Sequence, residues 1–492
     1  MRRYDALVVG AGFGGLGAAI ELKRLGYDDI LVVDREDDLG GTWHVNRYPG
    51  LAVDIASVTY SYSFAPNPYW SHVFARGAEL KRYAEHVADT FDLRRHLRFR
   101  TSVEGAEWDD TVKHWAVRFT GGETVHARYL LTATGFLSQP KKPDIPGVDD
   151  FAGTVLHSAA WDDGVDLTGR RVAVIGTGAT AVQLIPKLAR AAADLTVYQR
   201  TPIWVTPKVD GRIPKPVQRL FARFPATQRA VRAANSAVLE LIMVVGVLNY
   251  RRARLANKGA ELLALAHLRR QVRDPKTRAA LTPNYSFGCK RPTFSNDYYP
   301  TFNRPDVHLE TTPIDHIAAD GIVTADGRKT DVDTLVLATG FDLWDANFPA
   351  IELIGREGRD LGAWWRETRF QAYCGVTVPR FPNLISLNSP YSYNGLSYFW
   401  TIEAQMKHMN RLFTEVQRRG ATTFEVTDAA NDAFLSRMTD RLQDSVFYVG
   451  NCAPARSYYF NHHGEAALLR PTSTRNGLHE AANFPLESYT YA

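Results

Sequence analysis

Residues 4–36 read YDALVVGAGFGGLGAAIELKRLGYDDILVVDRE: an apolar run, a glycine cluster, an Ala/Leu-rich stretch, and a second apolar run closing on Asp34. A strand, Gly10-x-Gly12-x-x-Gly15, a helix and a strand that ends in an acid is the order of a dinucleotide-binding βαβ unit. Gly10 permits the tight turn, Gly12 lets the backbone approach a pyrophosphate, and Gly15 lets helix and strand close on each other. The helix N-terminus then faces the phosphates, and Asp34 accepts hydrogen bonds from ribose hydroxyls. The fold class is α/β.

The pattern recurs at RRVAVIGTGATA (170–181), where a strand precedes Gly176-x-Gly178-x-x-Ala181 and a helix follows. Alanine is admissible in the third place, which governs packing rather than phosphate approach. The next apolar strand ends on Arg200 and Thr201 instead of an acid. A guanidinium there can hold a 2′-phosphate that a carboxylate would repel, which selects NADPH; the plainer reading of Arg200 is a solvated strand end. Two further stretches, Tyr129–Gly135 and Thr334–Gly340, each set an apolar strand before Ala-Thr-Gly. They suit a chain that leaves one domain, builds a second as an insertion, and returns. Two Rossmann-like domains, for FAD and NADP, are therefore expected, with hydride passing between them.

Composition excludes other classes. Over 492 residues, 45% hydrophobic and 23% charged are ordinary globular values, so disorder and fibrous repeats are excluded. A net charge of +5 is too mild to argue for nucleic acid and fits anionic cofactors. Cys289, Cys374 and Cys452 lie far apart, which gives no disulfide framework and no metal-ligand spacing, and suits a reducing, cytoplasmic home. The strand at Tyr4–Val9 leaves no room for a signal peptide. The longest apolar run, Ala237–Leu248, contains Glu240 and is shorter than a membrane span, so it is read as a buried helix.

FAGTVLHSAAWD (151–162) lies between the two nucleotide patterns, and its Phe151, Gly153, His157, Trp161 and Asp162 match the fingerprint FxGxxxHxxxW-D of the Baeyer-Villiger monooxygenases, which this chain resembles almost end to end. A second signature of that family is met by Gly40, Gly41, Trp43, Tyr48, Pro49, Gly50 and Asp54. The resemblance implies reduction of FAD by NADPH, addition of O2 at flavin C4a as a peroxide, and attack on a ketone or aldehyde to give an ester or lactone. It implies flavin contacts from Gly41, Thr42, Trp43, Asp54, Tyr60, Val103 and Thr134, and NADP contacts from Thr177, Ala179, Thr180, Gln183, Thr201 and Lys290. The segment FGCKRP (287–292) resembles the stretch carrying the family's active-site arginine, which maps to Arg291, paired with Asp54. A fixed cation suits a reaction in which negative charge develops on oxygen. Plainer readings are a surface basic pair for Lys290 and Arg291, and a loop-capping acid for Asp54. Phe151 to Trp161 are expected to form a hinge that couples NADP to domain closure, or else simply to pack two domains together.

On this reading FAD occupies residues 1–138 and 343–492, NADP occupies 139–207 and 286–342, and 208–285 form a helical insert within the NADP domain. The insert is rich in arginine, which fits a solvated helix face and leaves room for weak contact with an anionic membrane surface. Ser457-Tyr458-Tyr459 stands where the family shows Ser-Trp-Tyr, so the ketone is not named by the motif; Tyr393, Tyr398 and Tyr458 are the expected pocket residues. A monomer or homodimer is expected. Three rivals remain: a relative that oxygenates sulfur or nitrogen, a disulfide reductase, which would need a CxxC this chain does not have, and a non-catalytic redox sensor.

Overall fold

The computed structural model describes residues 2–492. Strand β1 (Arg3–Val9) is buried from Ala6 to Val9, as a parallel strand covered on both faces must be. It lies between β2 (Ile30–Val33) and β6 (Thr124–Thr132), parallel to both, with Val9 in register with Val33 and Thr132. Helix α1 (Phe13–Arg24) makes the crossover from β1 to β2. Strand β3 (Leu97–Arg98) extends the sheet beyond β2, while β4 (Val103–Asp109) and β5 (His114–Phe119) form an antiparallel meander with β6. Two strands from the C-terminal part complete the sheet: β17 (Glu352–Ile354) beside β4, and β18 (Leu384–Ser386) beside β6. The sheet therefore draws on both ends of the chain.

A second, wholly parallel sheet has the order β12 (Val307–Glu310), β9 (Asp194–Tyr198), β8 (Arg171–Ile175), β16 (Thr334–Leu337), β7 (Thr154–His157). Helix α4 (Ala179–Ala191) follows β8. In both sheets the glycine-bearing strand has neighbours on either side that continue in opposite directions, which opens a crevice at the strand's carboxyl end. The chain crosses between the sheets twice, at 139–142 and 340–342. The crossings lie antiparallel, with Lys141 N–H donating to Gly340 O and Asp342 N–H to Gln139 O, each at 2.9 Å.

The insert contains α5 (Lys215–Arg223), α6 (Pro225–Glu240), a π-helical continuation (Leu241–Leu248), α7 (Arg254–Gln271) and the short α8 (Pro275–Ala280). The expectation of a buried helix at Ala237–Leu248 is corrected here. Pro225–Leu248 is long and apolar enough to cross a membrane, and only 28% of its most apolar window is buried. Val244, Val247 and Leu248 face the core, while Val238, Leu241 and Val245 face outward.

Candidate functional site

Both glycine turns open into one cleft of about 1780 Å³, larger than a site for a single drug-sized ligand. At the first turn Gly10 has φ +107°, and a Cβ there would stand 2.5 Å from the Ala133 carbonyl oxygen. A Cβ on Gly15 would fall on the Gly10 carbonyl oxygen, so strand and helix meet backbone to backbone. Gly12 caps α1 with no side-chain cap, and the first turn holds no acid, so its N–H groups are free for an anion. Asp34 lies in the cleft, accepting from Ala11 N–H (2.6 Å) and Glu36 N–H (3.0 Å); burial outweighs those bonds and pushes its carboxyl up. Gly41 (φ +53°) packs against Gly12 and begins the short helix α2 (Thr42–Val45), where Trp43 Nε1 donates to Tyr60 Oη at 3.2 Å. Thr42, Trp43, Tyr60, Val103 and Thr134 line the same cleft.

The second turn repeats this with one difference. Gly176 (φ +114°) lies against Ala338, and Ala181 is fully buried behind Ala179 and Thr180. Thr177 Oγ1 donates to Thr201 O at 2.9 Å, tying the turn to the end of β9. A Cβ on Gly178 would meet nothing within 4 Å, so the protein itself leaves that space open. Beside it stand three cations, Arg200, Lys290 and Arg456, none with a carboxylate partner among the described residues. Burial, then the charges of Arg200 and Arg456, lower the Lys290 ammonium to about 8. Such a cluster is costly without an anion and is matched by a phosphate. Gln183 lies along the cleft with its amide committed to the first sheet's loop: Oε1 accepts from Tyr48 Oη (3.1 Å) and Ala52 N–H (3.3 Å), and Nε2 donates to Ala52 O (2.9 Å). These bonds clamp the two sheets together at the cleft wall that Gln183 lines.

Between the two turns Arg291 and Asp54 meet across 237 residues in a fork: Nε donates to Oδ2 at 2.6 Å and Nη2 to Oδ1 at 3.0 Å. Nη1 donates to Tyr393 Oη (2.7 Å) and Gly395 O (3.3 Å), and Tyr393 Oη in turn donates to Leu396 O (2.8 Å). Burial raises Asp54, but the charge and hydrogen bonds of Arg291 more than offset it and hold the carboxyl below its usual range. Arg291, which burial would lower, is raised by Asp54. At 22% and 29% side-chain exposure the pair is open to the cleft while fixed on its other side. Tyr398 hydrogen-bonds Asn388 near Gly14, and Tyr458, its ring tilted 37° against that of Tyr459, lies by Arg291 at the cleft wall.

The 151–162 stretch is packed against the second sheet. Phe151 is buried in the second sheet's core, and a Cβ on Gly153 would stand 2.6 Å from both the Phe151 ring and Asp333 O. His157 closes β7; its Nδ1 accepts from Ala159 N–H (3.1 Å), leaving Nε2 to donate to Thr339 Oγ1 (3.4 Å) at the return crossing. Burial pushes this imidazole down, so it is neutral at physiological pH. Trp161 is half-buried and lines the cleft. The segment belongs to the second sheet's edge and reaches the crossings through His157.

Sequence reasoning passed over Arg456, which adjoins the singled-out Ser457–Tyr459 run, and Gly395, whose carbonyl holds Arg291. It also read the cysteines as unpaired. Cys289 and Cys452, 163 residues apart with Cα atoms 5.2 Å apart, form a disulfide that joins the Arg291 segment to the Arg456 loop. Local spacing carries no information about such a distant pair, and the argument for a reducing location from cysteine usage falls with it. Cys374 is buried, its thiol pushed up to about 12 by burial.

Residues 7–241 match the pyridine nucleotide-disulphide oxidoreductase family. A Baeyer-Villiger monooxygenase of Streptomyces coelicolor is 37% identical, covering 98% of this chain and 91% of its own length. Another, from Pseudomonas aeruginosa, is 36% identical over 96% and 87%. The structure of OTEMO in complex with FAD and NADP superimposes with a TM-score of 0.88 at 30% identity, covering 99% of each chain. With identity at this level over nearly the full length of both partners, the chain belongs to the Baeyer-Villiger monooxygenase family.

Proposed function

We propose that the protein inserts one oxygen atom of O2 next to a ketone or aldehyde carbonyl, giving an ester or lactone and water at the expense of one NADPH and one proton. FAD fits the Gly10–Gly15 turn and NADP the Gly176–Ala181 turn, since each offers an uncapped helix start and the second adds a cation cluster without acids. In this reading FAD is held by residues 1–138 and 343–492, NADP by 139–207 and 286–342, and 208–285 form the insert. Bound at these turns, FAD would supply the activation of O2 and NADPH the hydride. The chain's own part is to hold both, exclude water, and place the fixed cation Arg291 where oxygen gains negative charge. The observation that carries the reading is the Arg291–Asp54 fork, braced by Tyr393 and open to the cleft. Oxygen transfer to sulfur or nitrogen has no need of such a cation. Incubation with NADPH, O2, a ketone panel and a sulfide tests it: ester or lactone products are expected, and sulfoxide without any ester overturns the assignment. A cytoplasmic location is part of the same proposal, supported by the reaction's need for NADPH.

Two outcomes follow for the coenzyme. Arg200→Ala should narrow the preference for NADPH over NADH by about 1.5–3 kcal/mol, the worth of a charged hydrogen bond; an unchanged ratio of kcat/KM values would move the 2′-phosphate elsewhere. Lys290 is protonated below about 8 and neutral above it. A bound 2′-phosphate favours the charged form, so NADPH affinity should hold at lower pH and weaken as pH rises through 8, while NADH affinity stays flat. Titration of both coenzymes between neutral and alkaline pH checks this, and parallel profiles would remove Lys290 from the phosphate site.

A further inference from the structure

Residues 208–285 carry sixteen Lys and Arg against four Asp and Glu, a net +12, whereas the whole chain is +5; the remainder is therefore −7. The four acids of this segment are engaged: Asp210 with Lys208, Glu240 with Thr474 N–H, Glu261 with Lys258, and Asp274 as the cap at Thr277. Arg219, Arg229, Arg252, Arg269 and Arg270 have no carboxylate partner among the described residues and are exposed. Among them lies exposed apolar surface. Val231, Val238, Leu241 and Val245 recur at seven, three and four residues along one helical face, and on α7 Leu255 is 90% and Leu262 57% exposed. Monomeric soluble proteins rarely leave such side chains in water as a group.

We propose that this insert docks the protein on an anionic lipid bilayer, with the Val231–Val245 face and α7 leucines in the interface and the arginines among the headgroups. A second copy of the chain meeting it insert to insert would set +12 against +12, and nucleic acid offers no apolar counterpart to Leu241 or Leu255. The helix lies on the membrane and does not cross it, because its inner side is tied down. Gln228 Nε2 donates to Asn67 O (2.7 Å), Arg232 Nη1 to Ser61 O (2.8 Å), Thr59 Oγ1 to Asn235 Oδ1 (2.9 Å) and Thr474 N–H to Glu240 Oε1 (2.6 Å). Crossing would break all four and bury Arg232 in hydrocarbon. The docked turn also backs onto the cleft. Met243 abuts Gly395, where a Cβ would stand 2.6 Å from the thioether methyl, and the Gly395 carbonyl accepts from Arg291. A bilayer-dissolved apolar ketone would thus arrive within one residue layer of Arg291, a consequence that rests on the reaction proposed above; docking itself does not.

The test is flotation of the full-length, FAD-loaded protein with vesicles of phosphatidylcholine alone or mixed with phosphatidylglycerol, at low and high salt. Binding to the mixed vesicles, weakened by salt, is expected. Partition should fall at least about tenfold in Val238→Ser/Leu241→Ser/Val245→Ser, and likewise in Arg252→Gln/Arg269→Gln/Arg270→Gln, since each cation at an anionic surface is worth about fivefold. Turnover of a small water-soluble ketone should be unchanged in the arginine set, which is wholly on the surface and keeps the test decisive if the serine set fails to fold. Absence of wild-type flotation with anionic vesicles, flotation that the arginine set retains, or a wild-type dimer in ultracentrifugation that the serine set dissolves would each overturn the proposal.

Discussion

Replacing Arg291 by alanine should lower ester formation about a thousandfold while the protein keeps its FAD and still consumes NADPH, with the reducing equivalents recovered as hydrogen peroxide. Loss of a single donor aimed at developing oxyanion charge costs about 10²–10³ in rate. Here the loss is compounded, since Asp54 accepts two hydrogen bonds from Arg291 and would be left as an uncompensated carboxylate in the cleft wall. With the cation gone, the cause holding Asp54 below its usual range goes too, and its carboxyl should titrate higher. Arg291→Lys keeps charge but not the fork, so it should recover only part of the rate. Product analysis by gas chromatography, peroxide assay and the flavin spectrum read the three quantities separately. Undiminished ester in the alanine variant rules Arg291 out as the catalytic cation.

The second large effect contrasts the third glycine of the first turn with the second glycine of the other. Gly15→Ala puts a methyl group onto the Gly10 carbonyl and 2.9 Å from its carbon, with Val8 at 3.4 Å behind. Neither backbone can yield without moving α1 off β1, so a loss of about 3 kcal/mol or more is expected, together with most of the bound flavin. Gly178→Ala, at φ −72° with nothing within 4 Å, should leave Tm unchanged or slightly raised. Its cost should appear in the KM for NADPH, raised about tenfold or more if the pyrophosphate passes where that methyl would stand. Thermal melts, flavin-to-protein absorbance and coenzyme titration decide the matter. A Gly15→Ala variant with full flavin and wild-type Tm would show that α1 and β1 are less rigidly joined than their packing indicates.

The glycine turns were legible in sequence because their meaning is local: strand, turn and helix follow each other within a dozen residues, and backbone sterics leave few alternatives. Arg291 and Asp54 could be named only by likeness to a family, since nothing in composition or periodicity joins residues 237 apart. The bracing of the guanidinium by Tyr393 and the Gly395 carbonyl depends on tertiary folding of a loop with no periodic signal. The bonds of Gln183 to the opposite sheet's loop had no sequence signal for a related reason: where a polar side chain early in α4 finds its partners is decided by packing alone. The Ala237–Leu248 run misled because hydrophobicity all round a helix reads as burial, whereas this helix is covered on one side only.

The paired crossings at 139–142 and 340–342 bear on how the chain folds. Strand β6 ends at Thr132 and its C-terminal partner β18 begins only at Leu384, yet the excursion between them that builds the second sheet leaves and returns through one pair of hydrogen-bonded segments. Closure entropy grows only as the logarithm of loop length, about 0.6 kcal/mol for each doubling. The long detour therefore adds little to the cost of completing the first sheet, and the second sheet, whose five strands all lie within the detour, can form as its own folding unit with its own timing. An insertion within the detour, such as the arginine-rich helices, lengthens it at almost no cost to the sheet that encloses it.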